Sequence, residues 1–282
     1  MNTIEAIAVA IMQGATELFP VSSLGHAVVL PAVLNWQLDQ RGAAFLPFLV
    51  MLHLGTAVAL LAYFWGDWWR LAMGILGRYD APHNAEARRV FALIVLATIP
   101  AVVVGFVLEK PLRALFGTPS VAAAFLVVNG VMLLFGEKLR GLGQRQLSTL
   151  TPRDALLIGC AQCSALIPGI SRSGATIVAG LLRGIDHAGA AHFSFLIATP
   201  IIFGATVLEV PKLLRADIAP GTLAISVLAA MAAGVTAWLS TWFLMRYFRA
   251  HDAQQMDNWA LNPFGYYCIV VGLAALGYLW IV

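Results

Sequence analysis

The fold turns on the stretch Gln162-Cys-Ser-Ala-Leu-Ile-Pro-Gly-Ile-Ser-Arg-Ser-Gly-Ala-Thr176. It lies between two apolar runs, yet it carries hydroxyls and an arginine. Arg172 is the only cation between Arg153 and Arg183. A charged side chain at the bilayer centre costs about 2.5–3.5 kcal/mol on insertion scales, so it comes with a partner or a task. Pro168-Gly169 breaks the run just before it and lets the backbone approach a ligand closely. Ser171 and Ser173 stand where a new helix starts; hydroxyls there satisfy free N–H groups, and the helix end carries partial positive charge. Adding a guanidinium gives an anion site suited to phosphate, with Ser171, Ser173 and Gly174 at the helix start and the Thr176 hydroxyl one turn on. The competing reading is a capped helix whose arginine reaches the interface or pairs with a buried glutamate.

The composition fixes the setting of that arginine. Hydrophobic residues make up 60% of the 282-residue chain and charged residues 11%, whereas a soluble domain has about 25% charged residues. The chain reads as one integral membrane domain over 1–282. A net charge of +3 is too small to point to nucleic acid. The N-terminus has no basic n-region and no small-residue cleavage site, so no cleaved signal peptide is expected. Cys160, Cys163 and Cys268 do not build a disulfide framework. Cys160-x-x-Cys163 has no second pair and reads as small helix-packing residues rather than a metal site.

A membrane helix needs about 20 apolar residues. Six runs meet or approach this: Phe45–Trp65, Val90–Leu108, Val121–Gly136, Ala190–Leu208, Leu223–Phe248 and Phe264–Val282. Two further apolar regions are broken. Thr3–Leu34 is interrupted by Glu17-Leu-Phe-Pro-Val-Ser-Ser-Leu-Gly-His26, and Asp154–Leu182 by Pro168–Gly174. Their halves are too short to cross, so they read as re-entrant helix hairpins. Irregular backbone at that depth requires a protein-walled or wet cavity. The fold class is therefore all-α: six transmembrane helices plus two hairpins.

The broken regions match at a constant offset of 149, which places Gln13 on Gln162, Ser22 on Ser171, Gly25 on Gly174, Gly55 on Gly204 and Val58 on Val207. Each half, about 1–149 and 150–282, holds one hairpin and three spans. Three is odd, so the second half inserts upside down, and the hairpins meet near the midplane to form a site. Basic residues orient the array. Arg70, Arg78, Arg88, Arg89, Lys138, Arg140, Arg145, Arg153, Arg183, Arg246 and Arg249 fall on one side; Arg41, Lys110, Arg113, Lys212 and Arg215 fall on the other. The positive-inside rule makes the first side cytoplasmic and puts both termini outside.

The first hairpin carries the complement to Arg172. Gln13 and Glu17, at i and i+4, share a helix face. Ser22, Ser23 and His26 follow Pro20. Ser23 and His26 are three apart and read as a candidate nucleophile and base. Glu17 could orient the histidine, pair with Arg172, or help hold a divalent cation on a polyphosphate. His53 and Asn129 lie mid-span and read as interhelical hydrogen bonders. Glu209 reads as reaching the interface. The Ala224–Gly234 stretch reads as close helix packing, and the segment Gly66–Arg89 as an interfacial loop belt rich in Trp and Arg.

Residues 13–26, Gln-Gly-Ala-Thr-Glu-Leu-Phe-Pro-Val-Ser-Ser-Leu-Gly-His, and 168–176, Pro-Gly-Ile-Ser-Arg-Ser-Gly-Ala-Thr, resemble the two signature motifs of the undecaprenyl-pyrophosphate phosphatases, the bacitracin-resistance family. Gly-Cys-Ala-Gln-Cys (159–163) and Phe-Ser-Phe-Leu-Ile-Ala-Thr-Pro (193–200) are similar to that family too. The resemblance spans essentially the whole chain. It implies an inner-membrane hydrolase that converts undecaprenyl pyrophosphate and water to undecaprenyl phosphate and phosphate. That recycles the peptidoglycan lipid carrier and lowers sensitivity to bacitracin. It further implies two inverted repeats, a site open to the periplasm, and dependence on a divalent cation, Mg²⁺ or Ca²⁺. Two positions depart from the family pattern: Gln13 where it often has glutamate, and Cys268 where it tends to have arginine.

On this reading Arg172, Ser22, Ser171 and Ser173 bind the terminal phosphate. Glu17, supported by Gln13 and Thr176, holds the cation. Ser23 is the nucleophile with His26 as its proton partner; water activated by His26 or Glu17 is the close alternative. A polyprenyl-phosphate transporter or flippase is the rival from another class, since inverted repeats with broken helices also build transporters. Spans rich in small residues allow a homodimer.

Overall fold

The computed structural model describes residues 3–34, 36, 45–108, 115, 118–139, 145–215, 222–253 and 259–281. Within them lie the helices α1 (Thr3–Thr16), α2 (Ser23–Val33), α3 (Phe45–Tyr63), α4 (Trp65–Ile75), α5 (Ala81–Val107), α6 (Pro119–Leu139), α7 (Pro152–Gln162), α8 (Arg172–Leu182), α9 (His187–Arg215), α10 (Thr222–Ala253) and α11 (Asn262–Ile281). The described residues form no β-strand beyond one isolated bridge between Arg145 and Ile185. Helices α5, α6, α9, α10 and α11 are long and apolar enough to cross a bilayer; α3 with α4, bent by 72° at their junction, makes a sixth. The protein is an all-α, multi-pass membrane protein.

The segment expected as an interfacial loop, Gly66–Arg89, is instead mostly helix. It holds α4 and the first turns of α5. Helix α4 turns Leu71 and Gly74 inward and leaves Trp65 and Trp69 exposed, which satisfies one apolar face without a span. Helix α5 starts nine residues before the apolar run expected from Val90, because Pro82 in the first turn, just after Asp80, begins the helix there. Arg41, Lys110, Arg113 and Arg140, and the side chains of Glu209, Lys212 and Arg215, lie outside the described residues.

The broken regions form two helix pairs. Helix α1 has 14 residues and α2, α7 and α8 have 11 each. At 1.5 Å per residue they are about 16–21 Å long, well short of the ~30 Å hydrocarbon core. Their second helices start alike at the 149-residue offset. Ser22 Oγ accepts from Gly25 N at 3.2 Å, and Ser171 Oγ accepts from Gly174 N at 3.1 Å. Packing is paired as well: α1 lies on α10 and α7 on α5; α3 on α10 and α9 on α5; α2 on α11 and α8 on α6.

Small residues set these distances. A Cβ on Gly14 would lie 2.3 Å from Ala233 O, and one on Gly55 2.0 Å from Ala230 O, so α10 uses its Ala224–Gly234 face to seat α1 and α3. Gly204, the offset partner of Gly55, has open space instead.

The tips touch through glycine and are joined by polar bonds. A Cβ on Gly25 would lie 2.9 Å from Gly169 Cα, and Gly169 itself has φ +101°. Asn129 of α6 donates from Nδ2 to Pro20 O at 2.9 Å and accepts from Ser171 N at 2.9 Å. Ser173 Oγ donates to Phe19 O at 3.1 Å. The irregular backbone at the tips is thus satisfied by protein groups, as membrane depth requires. At the base of the second hairpin, Asp154 completes a capping box with Thr151 and bonds to Arg145 and Arg183. Burial favours the neutral acid there, but the two guanidiniums and Thr151 more than offset it and hold the carboxyl well below the usual carboxylate range.

Candidate active site

A cavity of about 210 Å³ opens where the two tips meet α3 and α9. At ~30 Å³ per water it holds roughly seven waters, a volume suited to a headgroup and not to a long chain. Its polar wall includes Glu17, Ser22, Ser23, His53, Gln162, Ser171 and Arg172; its apolar wall includes Val50, Ala101, Leu166, Ile170, Ile201 and Ile202.

Glu17 is the hub. It follows α1 directly, so its carboxylate stands in the break between the helices. Arg172 Nη2 donates to Oε1 at 3.1 Å, Ser23 Oγ donates to Oε2 at 2.5 Å, and Gln13 Nε2 donates to Oε2 at 3.0 Å. His53 Nδ1 lies 3.4 Å from Oε2. A hydroxyl-to-oxygen distance of 2.5 Å is that of a charge-assisted bond to an ionised carboxylate. Arg172 is the first residue of α8, and Ser171 before it is the cap. Nη1 also reaches Ser194 O at 3.4 Å. A guanidinium has five N–H donors; with these two engaged, three remain for an anion in the cavity.

The structure thus brings together Glu17, Ser22, Ser23, Ser171 and Arg172 of the residues expected at the site. The others sit behind the wall. Ser23 and His26 do not pair: Ser23 donates to Glu17, while the His26 ring bonds Ser22 O through Nδ1 at 2.7 Å and Tyr267 OH through Nε2 at 2.9 Å. The reason is local geometry. Ser22 has φ 67°, ψ 93°, the only positive φ on a non-glycine residue among those described. As the cap of α2, Ser22 points its carbonyl along the helix at His26, accepting its backbone N–H at 3.2 Å as well as the ring. Ser173 and Thr176 face away from the cavity, Ser173 toward Phe19 O and Thr176 toward Arg172 O at 2.8 Å and Ser194 Oγ at 2.7 Å. Gly174 lies beside Leu133 and Asn129. Gln13 is fully buried behind Glu17.

Two wall residues were not read from the sequence as site residues. His53, in sequence an interhelical bonder, does bond Gln13 of α1 from α3. Gln162 was noticed only as the offset partner of Gln13. A polar side chain in an otherwise apolar span was the available signal for His53, and the offset itself was the signal for Gln162. Both glutamines use their amide nitrogen, Gln162 toward Ala97 O at 3.3 Å, and both leave a buried Oε1 without a partner among the described residues.

For a divalent cation the described residues offer Glu17 and the orphaned Gln13 Oε1, and no group of three His, Cys, Asp or Glu side chains. This fits a hard cation that takes most of its oxygens from water and phosphate, as Mg²⁺ does, and not one held in a protein cage.

A family model described as bacitracin resistance protein BacA matches residues 6–274. Among curated proteins, an undecaprenyl-diphosphatase of Granulibacter bethesdensis is 66% identical, over 99% of this chain and 97% of its own length. Proteins of the same name from Acidiphilium cryptum and Gluconacetobacter diazotrophicus are 54% and 53% identical, over 98% and 96% of this chain and 98% and 95% of their own lengths. With the tip motifs, the cavity and this similarity all in agreement, the chain belongs to the bacitracin resistance protein BacA family.

Proposed function

We infer that this protein is an undecaprenyl-diphosphatase, hydrolysing undecaprenyl pyrophosphate to undecaprenyl phosphate and phosphate in the bacterial inner membrane. The observation that carries the mechanism is the chain Arg172–Glu17–Ser23, at 3.1 and 2.5 Å, in the wall of one cavity. The terminal phosphate enters between the tips, with the isoprenoid leaving over the apolar wall. The spare N–H groups of Arg172 and the hydroxyls of Ser22 and Ser171 bind its oxygens and the charge that develops on them. Ser23 Oγ attacks the terminal phosphorus and passes its proton to Glu17, which already accepts its hydrogen bond. The phosphoanhydride bond breaks and undecaprenyl phosphate leaves. Undecaprenyl phosphate takes up the proton from Glu17 as it departs. Glu17 then deprotonates water, the hydroxide displaces Ser23 Oγ from phosphorus, Glu17 returns that proton to Ser23, and phosphate leaves. His26 acts through Ser22: it is a positioning residue that holds the strained carbonyl, and Tyr267 holds its ring.

Glu17, with Gln13 behind it, would hold a Mg²⁺ or Ca²⁺, which when bound would neutralise phosphate charge. Two inverted repeats place the tips back to back; the shared cap spacing and the paired helix contacts support that arrangement. The arginine-rich side is cytoplasmic, so both termini are periplasmic; the family resemblance supports an opening of the site on that side too.

Phosphate release from undecaprenyl pyrophosphate by the purified protein in micelles tests the reading. The enzyme releases phosphate there, where no two compartments exist, and Arg172→Ala does not. Lipid movement across vesicles without phosphate release would overturn it in favour of a transporter. Phosphate release by Ser23→Ala at the wild-type rate would move the attack to water.

A further inference from the structure

We propose that His53 is a binding residue for the terminal phosphate, donating a hydrogen bond from Nε2; this rests on the diphosphatase reading. Which ring nitrogen is engaged follows from Gln13. Its amide nitrogen carries two hydrogens and has two neighbours, Glu17 Oε2 at 3.0 Å and His53 Nδ1 at 2.9 Å. Nδ1 thus faces Gln13 and, at 3.4 Å, the Glu17 carboxylate, which leaves Nε2 as the ring nitrogen that can meet a ligand. Gln13 has 0% exposure, so this arrangement is fixed from behind.

His53 alone among the buried-site histidines has a nitrogen to spare. His26 spends both on Ser22 O and Tyr267 OH. Nε2 of His53 has no partner among the described residues, and its side chain is 25% exposed in the cavity wall beside Ser23 and Arg172. The site needs such a donor. Arg172 is its one guanidinium among the lining residues, and Glu17 already balances that charge. A diphosphate brings further negative charge, and a hydrogen bond to a charged acceptor is worth more than a neutral one.

Two substitutions separate this role from support of Gln13. His53→Gln places an amide N–H₂ near the Nε2 position. His53→Asn keeps an acceptor near the Nδ1 position for Gln13 and removes the Nε2 donor. Each variant is purified in micelles, its thermal unfolding is compared with wild type, and KM for undecaprenyl pyrophosphate and the inhibition constant of inorganic pyrophosphate are measured. His53→Asn is expected to raise both constants about tenfold or more, with kcat little changed; His53→Gln is expected to stay within about threefold of wild type. Wild-type binding by His53→Asn, or equal loss in both variants, would overturn the assignment of His53. Absence of phosphate release by the wild-type protein would instead overturn the diphosphatase reading itself.

Discussion

At the first hairpin tip Ser22 caps α2, and Glu17 and Ser23 beside it face the cavity. At the second tip Ser171 caps α8 with the same spacing, yet Ser173 and Thr176 turn back into the protein. The backbones differ where the caps agree. Ser22 stands at φ 67°, whereas Ser171 has an ordinary extended φ of −82°. Strain of this kind costs of order 1–3 kcal/mol and persists only where neighbours hold it. Here the neighbours are the Gly25 amide on the Ser22 hydroxyl and His26 on its carbonyl. On the proposed mechanism the first tip carries the reaction, and the second holds it in place while contributing Arg172 and Ser171. Two elements alike in their caps would then be divided into a chemical half and a supporting half.

The division predicts graded losses. Arg172→Ala removes the second tip's only direct contribution to charge and should lower kcat/KM about 10³-fold in phosphate release. Arg172→Lys should recover little of it, because an ammonium cannot reach Glu17 and phosphate with one planar fork. Glu17→Gln, at the first tip, should lower kcat about 10²-fold with a smaller change in KM, since Ser23 loses its proton acceptor. A loss confined to KM would make Glu17 a binding group and break the division. Asn129→Ala should act on both tips at once. It leaves Pro20 O and Ser171 N unpaired, about 1–3 kcal/mol each, and should show as a lower unfolding temperature in detergent.

Ser22→Gly should relieve the strain and lose little as a cap, since glycine is nearly as good there. Its unfolding temperature should match or exceed that of wild type, and a marked fall would mean that Ser22 is not strained. The smallest effect lies at the base of the second hairpin. The Asp154 carboxyl is held below its ordinary value when folded, so its stabilisation is fully present above the unfolded value, near pH 4, and is lost as pH falls through the lower folded value. Asp154→Asn should flatten that acid limb of the unfolding curve and leave phosphate release unchanged.

The fold was legible because bilayer thickness converts apolar length into span or hairpin almost directly. Runs near 20 residues became spans, and the broken regions became the short pairs α1–α2 and α7–α8. The offset of 149 carried real content at Ser22/Ser171 and Gly25/Gly174, which share a cap, and little at Gly55/Gly204, where only Gly55 packs tightly. Arg172 and Glu17 were legible because a charge at depth needs a partner. The Ser23–His26 pair was not, since spacing along a helix is silent on which other neighbours compete for each side chain. Ser22 turns its carbonyl onto His26 and leaves Ser23 to Glu17. Ser173 and Thr176 looked like ligand groups because hydroxyls at a helix start serve phosphates and neighbouring backbone equally well. Only the position of the other tip, Phe19 O above all, decides between the two.

The claim that one tip reacts and the other supports is tested most directly by measuring kcat for phosphate release, with thermal unfolding, in Ser23→Ala and Ser173→Ala side by side. The account predicts that Ser23→Ala loses at least about 10²-fold in kcat with its unfolding temperature kept. Ser173→Ala should keep kcat within about tenfold and unfold earlier, because Phe19 O loses a partner. Near-wild-type turnover in Ser23→Ala together with a collapse of kcat in a stably folded Ser173→Ala would contradict it.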